Sequence, residues 1–290
     1  MKEAILYQKL ENQTLGCRVC NHGCVISDGA RGICGVRENR QGQLYALNYG
    51  KTIAAHIDPI EKKPLYHFLP GTMIYSFAAV GCNFRCSWCQ NWQIAQSPKQ
   101  NRPVEGVDIS AEEHVKRALE NACPAIAYTY SEPTVFVEYA LDTMKLARSK
   151  GLKNAWVTNG YMSRETLDTV IPYLDAANVD YKGPNDGVYE KYCGGKAEPI
   201  MQNLKYLYEA GVHLEITTLI VPGVNDKPDQ LEQISRFIAE ELSRDVPWHV
   251  SRFFPAWKMA DRQATPLETL DMAGTIGKKA GLKYVHLGNV

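Results

Sequence analysis

Residues 73–92 read MIYSFAAVGCNFRCSWCQNW, and the rest of the chain is best read outward from them. MIYSFAAV is a short apolar strand that gives way at Gly81 to a loop bearing Cys82, Cys86 and Cys89. Spacings of three and two put the thiolates on one short loop, which can curl around one face of an iron–sulfur cubane so that each holds an iron. No fourth cysteine follows nearby, so one iron would stay open to a small molecule, as an open zinc position admits substrate. A three-cysteine zinc site, completed by a histidine or a remote cysteine, is the competing reading of the same loop.

Beyond this loop strand-like and helix-like segments alternate. CPAIAYTY, NAWVTN, DAANVDYK, HLEITTLIVPG, WHVSRFF and KYVHLGN follow MIYSFAAV as strand candidates. Between them lie a helix opened by a Ser110–Glu113 capping box and running to about Asn121, VEYALDTMKLARSK ending at Gly151, a helix opened by Ser163, MQNLKYLYEAG, LEQISRFIAEEL and a helix after Pro266. The alternation predicts parallel βα units. Its seven strands suit a partial or nearly closed (β/α) TIM-like barrel, with a doubly wound open sheet as the alternative. Polar residues share strand faces: His213, Glu215 and Thr217 on one, Asn178, Asp180 and Lys182 on another. Helices cover the outside of such a sheet, so these faces look inward, toward a site at the carboxyl ends of the strands. His249, Arg252 and His286 are expected near the ends of the late strands and take no assigned catalytic role.

The 290 residues are 45% hydrophobic and 22% charged, ordinary values for a folded chain. Lysine plus arginine equals aspartate plus glutamate, 32 against 32, which removes the global electrostatic case for nucleic acid or an anionic membrane. MKEAILYQKLENQTLG lacks the apolar core and cleavage site of a secretory signal, and no apolar run approaches the roughly 18 residues of a spanning helix. A cytoplasmic protein is expected. Its nine cysteines should then be ligands, nucleophiles or core residues rather than a disulfide framework.

Cys17-x2-Cys20-x3-Cys24-x9-Cys34 supplies four thiolates in a glycine-rich segment with little else to bury. A closed tetrahedral zinc would fold this module outright, and a fully ligated iron–sulfur cluster is the equal alternative. His22 is expected to face solvent. Residues 1–50 thus read as a cysteine-rich module with a turn at Asn48 and Gly50, residues 51–72 as a connector, and residues 73–290 as the barrel. Cys123 reads as a small core residue, and Cys193, before Gly194 and Gly195, as a loop thiol.

The C-x3-C-x-aromatic-C pattern resembles the radical S-adenosylmethionine (SAM) superfamily. The resemblance implies a [4Fe–4S] cluster on Cys82, Cys86 and Cys89, with SAM on the open iron. The reduced cluster would cleave SAM to a 5′-deoxyadenosyl radical that abstracts hydrogen from a substrate. It puts Trp88 near the adenine. Tyr130-Ser131-Glu132-Pro133 resembles the family's GGEP-type element, with both glycines replaced, and places Ser131 and Glu132 at the SAM amino group. Val157-Thr158-Asn159-Gly160 and Asp180-Tyr181-Lys182-Gly183 resemble strand-end elements of glycyl-radical activases such as pyruvate formate-lyase activating enzyme. Thr158, Asn159, Asp180 and Lys182 are thereby expected near SAM, while Val157 stands where those enzymes carry an aspartate for a monovalent cation.

In order along the chain, GCNFRCSWCQNW, YTYSEPT, KGLKNAWVTNGY, LEITTLIVPGVND, DVPWHVSRFFP and GLKYVHLGNV are similar to the AmmeMemoRadiSam-system radical SAM proteins, relatives of that activating enzyme. Such proteins commonly continue into a CxxC-bearing tail, so with Val290 as the last residue no tail-borne metal site is expected. The implied partners are a reductant such as flavodoxin or ferredoxin, and either a glycyl-radical protein or Memo/AMMECR-type proteins acting with a small-molecule, peptide or nucleic-acid substrate. A zinc-stabilised binding protein without turnover is the reading from a different class.

Overall fold

The computed structural model describes residues 1–99 and 102–290. Six short strands open the chain: β1 (Lys2–Glu3), β2 (Tyr7–Lys9), β3 (Leu15–Cys17), β4 (Val25–Ile26), β5 (Arg37–Arg40) and β6 (Gln43–Ala46). They form two three-stranded antiparallel sheets, ordered β1-β6-β5 and β2-β3-β4. Leu15, Ile26 and Leu44 are buried and join this module to the main core, while Val36 packs with Val80 and Val135 in a small cluster of its own. Arg37 of β5 fastens it further.

After β7 (Lys51–Thr52), β8 (Ala54–Pro59) runs antiparallel to β9 (Met73–Ala78) and forms one edge of the principal sheet. The helix α1 (Trp92–Gln96) follows the cysteine loop, and β10 (Val107–Asp108) pairs with β7. The chain then alternates through α2 (Ala111–Glu120), β11 (Ala125–Tyr128), α3 (Val137–Ser149), β12 (Lys153–Thr158), α4 (Arg164–Val170), β13 (Ala176–Asp180), a single turn α5 (Asp186–Val188), α6 (Glu198–Glu209), β14 (His213–Ile220), α7 (Pro228–Arg236), β15 (Trp248–Arg252), α8 (Leu267–Lys279) and β16 (Val285–Gly288). Ser110 Oγ caps α2 by accepting the Glu113 N–H, as its sequence requires, and Ser163 caps α4 in the same way.

The sheet order is β16-β15-β14-β13-β12-β11-β9-β8. Its seven strands from β9 to β16 are parallel, matching the seven strand candidates. The sheet curves without closing: β16 and β8 are free edges among the described residues. This is the partial-barrel form of the expected α/β fold.

One face of the sheet sets Phe77, Tyr128, Trp156 and Val179 into the main core. The other carries small side chains, Ala125, Ala127, Ala155 and Ala176, around Ile74. Those alanines leave room for a plug. The chain between β8 and β9 fills it with Ile60 and Leu65, backed by Phe68 and Leu69. Glu215 of β14 holds the plug, accepting the backbone N–H groups of Tyr66 and His67 at 3.0 and 2.8 Å. Asn178 donates to the Pro64 carbonyl at 2.7 Å. Two histidines also face Glu215, with Nε2 of His213 at 3.0 Å and of His249 at 2.7 Å. Burial alone would raise the Glu215 carboxyl; these donors hold it well below the usual carboxylate range. His249 and His286 therefore stand near the amino ends of β15 and β16, where they build the floor of the barrel rather than its mouth.

Candidate active site

The carboxyl ends of the parallel strands surround a cavity of about 330 Å³, and the cysteine loop forms one of its walls. Gly81, at φ +114°, turns the chain out of β9 where a Cβ would press Val36 and Val135. Cys82, Cys86 and Cys89 all line the cavity, as does Trp88, which is buried against Tyr192. Phe84 N–H points at Cys82 Sγ from 3.3 Å, and Asn159 Nδ2 lies 3.8 Å from the same sulfur. Burial pushes the Cys82 thiol up, and the Cys89 thiol to about 12. Bare thiols here stay neutral, so only a bound metal centre would hold them as thiolates. Cys86 differs. The neighbouring Cys193 thiol, acting as a hydrogen-bond donor toward its sulfur, draws its pKa down.

From β11, Glu132 reaches the cavity wall with its carboxylate saturated. Oε1 accepts from Thr134 N (3.1 Å), Thr134 Oγ1 (2.6 Å) and Thr158 Oγ1 (2.7 Å), while Oε2 accepts from Asn159 N (2.8 Å). It ties the end of β11 to the end of β12. Asn159 continues the chain of contacts through Nδ2 to Asn83 Oδ1 at 2.7 Å, reaching the cysteine loop itself. Ser131 donates to the Ala79 carbonyl. Tyr130 takes φ +60°, a left-handed conformation that glycine adopts without strain. Its carbonyl accepts from Asn91 Nδ2 at 2.8 Å.

Asp180 and Lys182, at the end of β13, form an ion pair of 2.9 Å across the cavity from these groups. Burial would depress the Lys182 ammonium; the Asp180 carboxylate raises it instead. Val157, Thr217, Leu219 and Ser251 complete the wall. The structure thus gathers every residue expected near SAM, and all three loop cysteines, around one cavity. Three cysteine thiols lining one cavity beside a fixed ammonium and a set of amides suit an anionic iron–sulfur centre, which would hold them as thiolates, and a zwitterionic ligand.

Several contributors were absent from the sequence reading. Lys63, from the plug, is buried at the cavity edge between Asp58 Oδ2 (2.9 Å) and Tyr130 OH (3.1 Å). The turn holding Cys193 grips the loop from behind: Arg85 N–H donates to the Cys193 carbonyl at 2.8 Å and Ser87 N–H to that of Tyr192 at 3.0 Å. Cys193 itself is fully buried. Only its place before two glycines hinted at a close approach.

The four amino-terminal cysteines also share one small cavity, with His22, Arg37 and Asn83. His22 is not solvent-facing. Its Nε2 lies 2.9 Å from the Asn83 carbonyl and its ring packs on Tyr161 at 4.9 Å. Burial pushes the Cys17 thiol up to about 11 and also raises Cys20 and Cys24. Arg37 Nε and Asn83 Nδ2, both buried, have no hydrogen-bond partner, and such donors suit sulfur ligands of a metal. Among the described residues no group of three or more His, Cys, Asp or Glu side chains is arrayed to hold a metal ion, so both this set and the loop cysteines share a lining rather than a preformed cage.

A mostly parallel sheet with three loop cysteines at its carboxyl edge is an α/β fold with a candidate metal centre, and the comparisons supply its class. Residues 78–238 match the Radical SAM superfamily, and the chain belongs to that superfamily. It is 46% identical, over all 290 residues and 86% of the relative, to the uncharacterized protein MJ0808 of Methanocaldococcus jannaschii. It is 25% identical to the pyruvate formate-lyase-activating enzyme of Clostridium pasteurianum over 58% of this chain and 72% of that one. A radical SAM methyltransferase from Sphaerobacter thermophilus shares the fold with a TM-score of 0.59 at 16% identity, covering 76% of this chain and 67% of the other. The protein is an enzyme homologous to the activating enzymes, and its superfamily implies a [4Fe–4S] cluster and SAM. No helix among the described residues is long and apolar enough to cross a membrane.

Proposed function

We propose that the cavity holds a [4Fe–4S] cluster on Cys82, Cys86 and Cys89, with SAM on the open iron. The observation carrying this reading is the convergence of the three thiols with the ends of β11, β12, β13, β14 and β15 on one cavity. When bound and reduced, the cluster supplies the electron that splits SAM into methionine and a 5′-deoxyadenosyl radical. The chain's own part is positional. Glu132 orients the Thr158 hydroxyl and the Asn159 backbone, Asn159 steadies the loop through Asn83, and the Asp180–Lys182 pair offers opposite charges to the amino-acid end of SAM. Trp88 would flank the adenine, and Ser131 and Glu132 would lie toward the amino group. The plug and Lys63 close the cavity from below and exclude water.

Residues 1–50 act, in this proposal, as a second metal module on Cys17, Cys20, Cys24 and Cys34, joined by the 51–72 connector to the barrel at 73–290. The unpartnered Arg37 and Asn83 donors support a metal–thiolate occupant there, zinc or a second cluster. The activating-enzyme relatives favour hydrogen abstraction from a glycyl-radical partner protein in the cytoplasm, with a flavodoxin or ferredoxin as reductant. The ordered motifs support a place in the AmmeMemoRadiSam system, with Memo/AMMECR-type partners.

Anaerobic reconstitution with iron and sulfide, reduction, and addition of SAM should yield 5′-deoxyadenosine. Cys86→Ala should abolish both the cluster signal and the product. Retention of zinc alone at both cysteine sets, with no cleavage, would favour a binding protein instead.

A further inference from the structure

We propose that Cys17, Cys20, Cys24 and Cys34 hold a single tetrahedral zinc ion rather than an iron–sulfur cluster, and that this ion braces the active-site cysteine loop. The inference rests on the reading above that residues 1–50 form a metal module. Room decides between the two occupants. The cavity that the four thiols share holds only about 10 Å³, the space of roughly a single water. A zinc ion takes that space with its sulfurs at about 2.3 Å. A cubane sets several irons and sulfides inside the same ring of cysteines and would push the wall apart. Val19 and Val135 are buried in that wall, and Arg37 is pinned there to Glu138 at 2.9 and 2.7 Å. The loop cysteines, by contrast, open on about 330 Å³.

The chain is shaped for such an ion. Cys17 ends β3 and its N–H donates to the Cys24 carbonyl at 2.9 Å, so a hairpin sets these two side by side. Between them Gly23, at φ +54°, donates its N–H to the Cys20 carbonyl at 3.1 Å, a tight turn that brings Cys20 back toward the pair. Cys34 arrives on a second turn, closed by the Gly35 N–H on the Gly32 carbonyl at 2.9 Å. The thiols line the cavity without yet forming a cage. An entering ion therefore closes them around itself, and the thiol protons leave to solvent. Arg37 Nε and Asn83 Nδ2, buried donors without a partner, line the same cavity and suit the thiolate charge that remains.

The brace follows from what surrounds the cavity. Asn83 belongs to the active-site loop, between Cys82 and Cys86, yet it lines the amino-terminal cavity. Its carbonyl lies 2.9 Å from His22 Nε2, and its Oδ1 accepts from Asn159 Nδ2 at 2.7 Å. His22 rides on the turn between Cys20 and Cys24. Beside it the Asn21 N–H donates to the Tyr161 carbonyl at 3.1 Å, and Asn21 Nδ2 to that of Met162 at 2.6 Å. The turn that the ion fixes thus touches both the loop and the chain leaving β12. Without the ion the turn loses its anchor, and the loop loses this support from outside the barrel.

The test uses the full-length protein, purified without oxygen from cells supplied with zinc and iron, with metals counted by mass spectrometry. Cys86→Ala, which empties the loop site, should keep a single zinc per chain and no iron. Cys20→Ser combined with Cys24→Ser should lose that zinc. The loop cluster reconstituted in this double variant should surrender iron to a chelator about tenfold faster than in the wild type. Cobalt(II) in place of zinc should give Cys86→Ala the strong visible bands of a tetrahedral four-thiolate site, a readout that needs neither SAM nor a folded double variant. Iron with sulfide in place of zinc in Cys86→Ala would overturn the inference while leaving a metal module standing. Zinc retained by the double variant, or iron released from it at the wild-type rate, would overturn it as well. No metal of either kind in Cys86→Ala would sink the module reading itself.

Discussion

A methyl group on Gly195 would fall 2.4 Å from Phe84 Cε1, and one on Gly194 would fall 2.9 Å from Arg85 Nε. These glycines let the turn holding Cys193 close on the cysteine loop. Gly195→Ala must therefore displace the Phe84 ring, an overpacking that costs about 1–3 kcal/mol and moves the chain between Cys82 and Cys86. Iron retained per chain after reconstitution should fall, while Gly274→Ala in α8, whose added carbon meets nothing nearer than Leu287 Cδ2 at 3.5 Å, should retain wild-type iron. Equal iron in both variants would refute the clamp. The same residues show what one sequence can and cannot reveal. Cys82, Cys86 and Cys89 were legible because their chemistry is written in local spacing. Cys193, Lys63 and Asn83 were not, because their roles come from contacts with residues tens of positions away, which no spacing records.

Among the elements, β5 and α3 are joined by a buried, bidentate ion pair. Arg37 donates to Glu138 Oε1 at 2.9 Å and to Oε2 at 2.7 Å, and Ile5 N–H completes the site at 3.1 Å. Burial would raise the Glu138 carboxyl, but the guanidinium holds it below the usual range. Glu138→Gln leaves Arg37 buried without a counter-charge, at a cost of about 3–5 kcal/mol. The amino-terminal module should then detach first, seen as early proteolysis before residue 50 with the barrel intact.

The helix α2 docks through His114, whose ring stacks on Phe77 at 3.8 Å. Its nitrogens meet Tyr75 OH at 2.8 Å and Tyr139 OH at 2.6 Å. Burial lowers its pKa from 6.5 to about 3. Below 6.5 the unfolded chain takes up a proton that the folded chain refuses until about 3, so stability present above 6.5 is lost as pH falls through that window. The loss should reach about 2 kcal/mol between pH 7 and pH 5 by denaturant unfolding, and His114→Gln should flatten that part of the profile. The capped start of α2 could be read from Ser110 and Glu113. His114 could not be told from an ordinary helix histidine, because the rings enclosing it come from β9 and α3.

On the scale of the molecule, alternation of strands and helices was enough to anticipate seven parallel strands and a site at their carboxyl ends. What stayed hidden was how the barrel is finished. Alternation cannot say whether a sheet closes, and the chain between β8 and β9, with its prolines, reads as a passage rather than a plug. Small residues on the inner face, Ala125, Ala127, Ala155 and Ala176, were the available sign that something else must fill the interior. The result is a rigid floor under a cavity open at one end, with the cysteine loop held between that cavity and the amino-terminal module. The most direct test of this account is 5′-deoxyadenosine measured by chromatography after anaerobic reconstitution, reduction with dithionite and addition of SAM. The account predicts SAM-dependent product from the wild type and none from Cys86→Ala; a fully reconstituted cluster that yields no 5′-deoxyadenosine would contradict it.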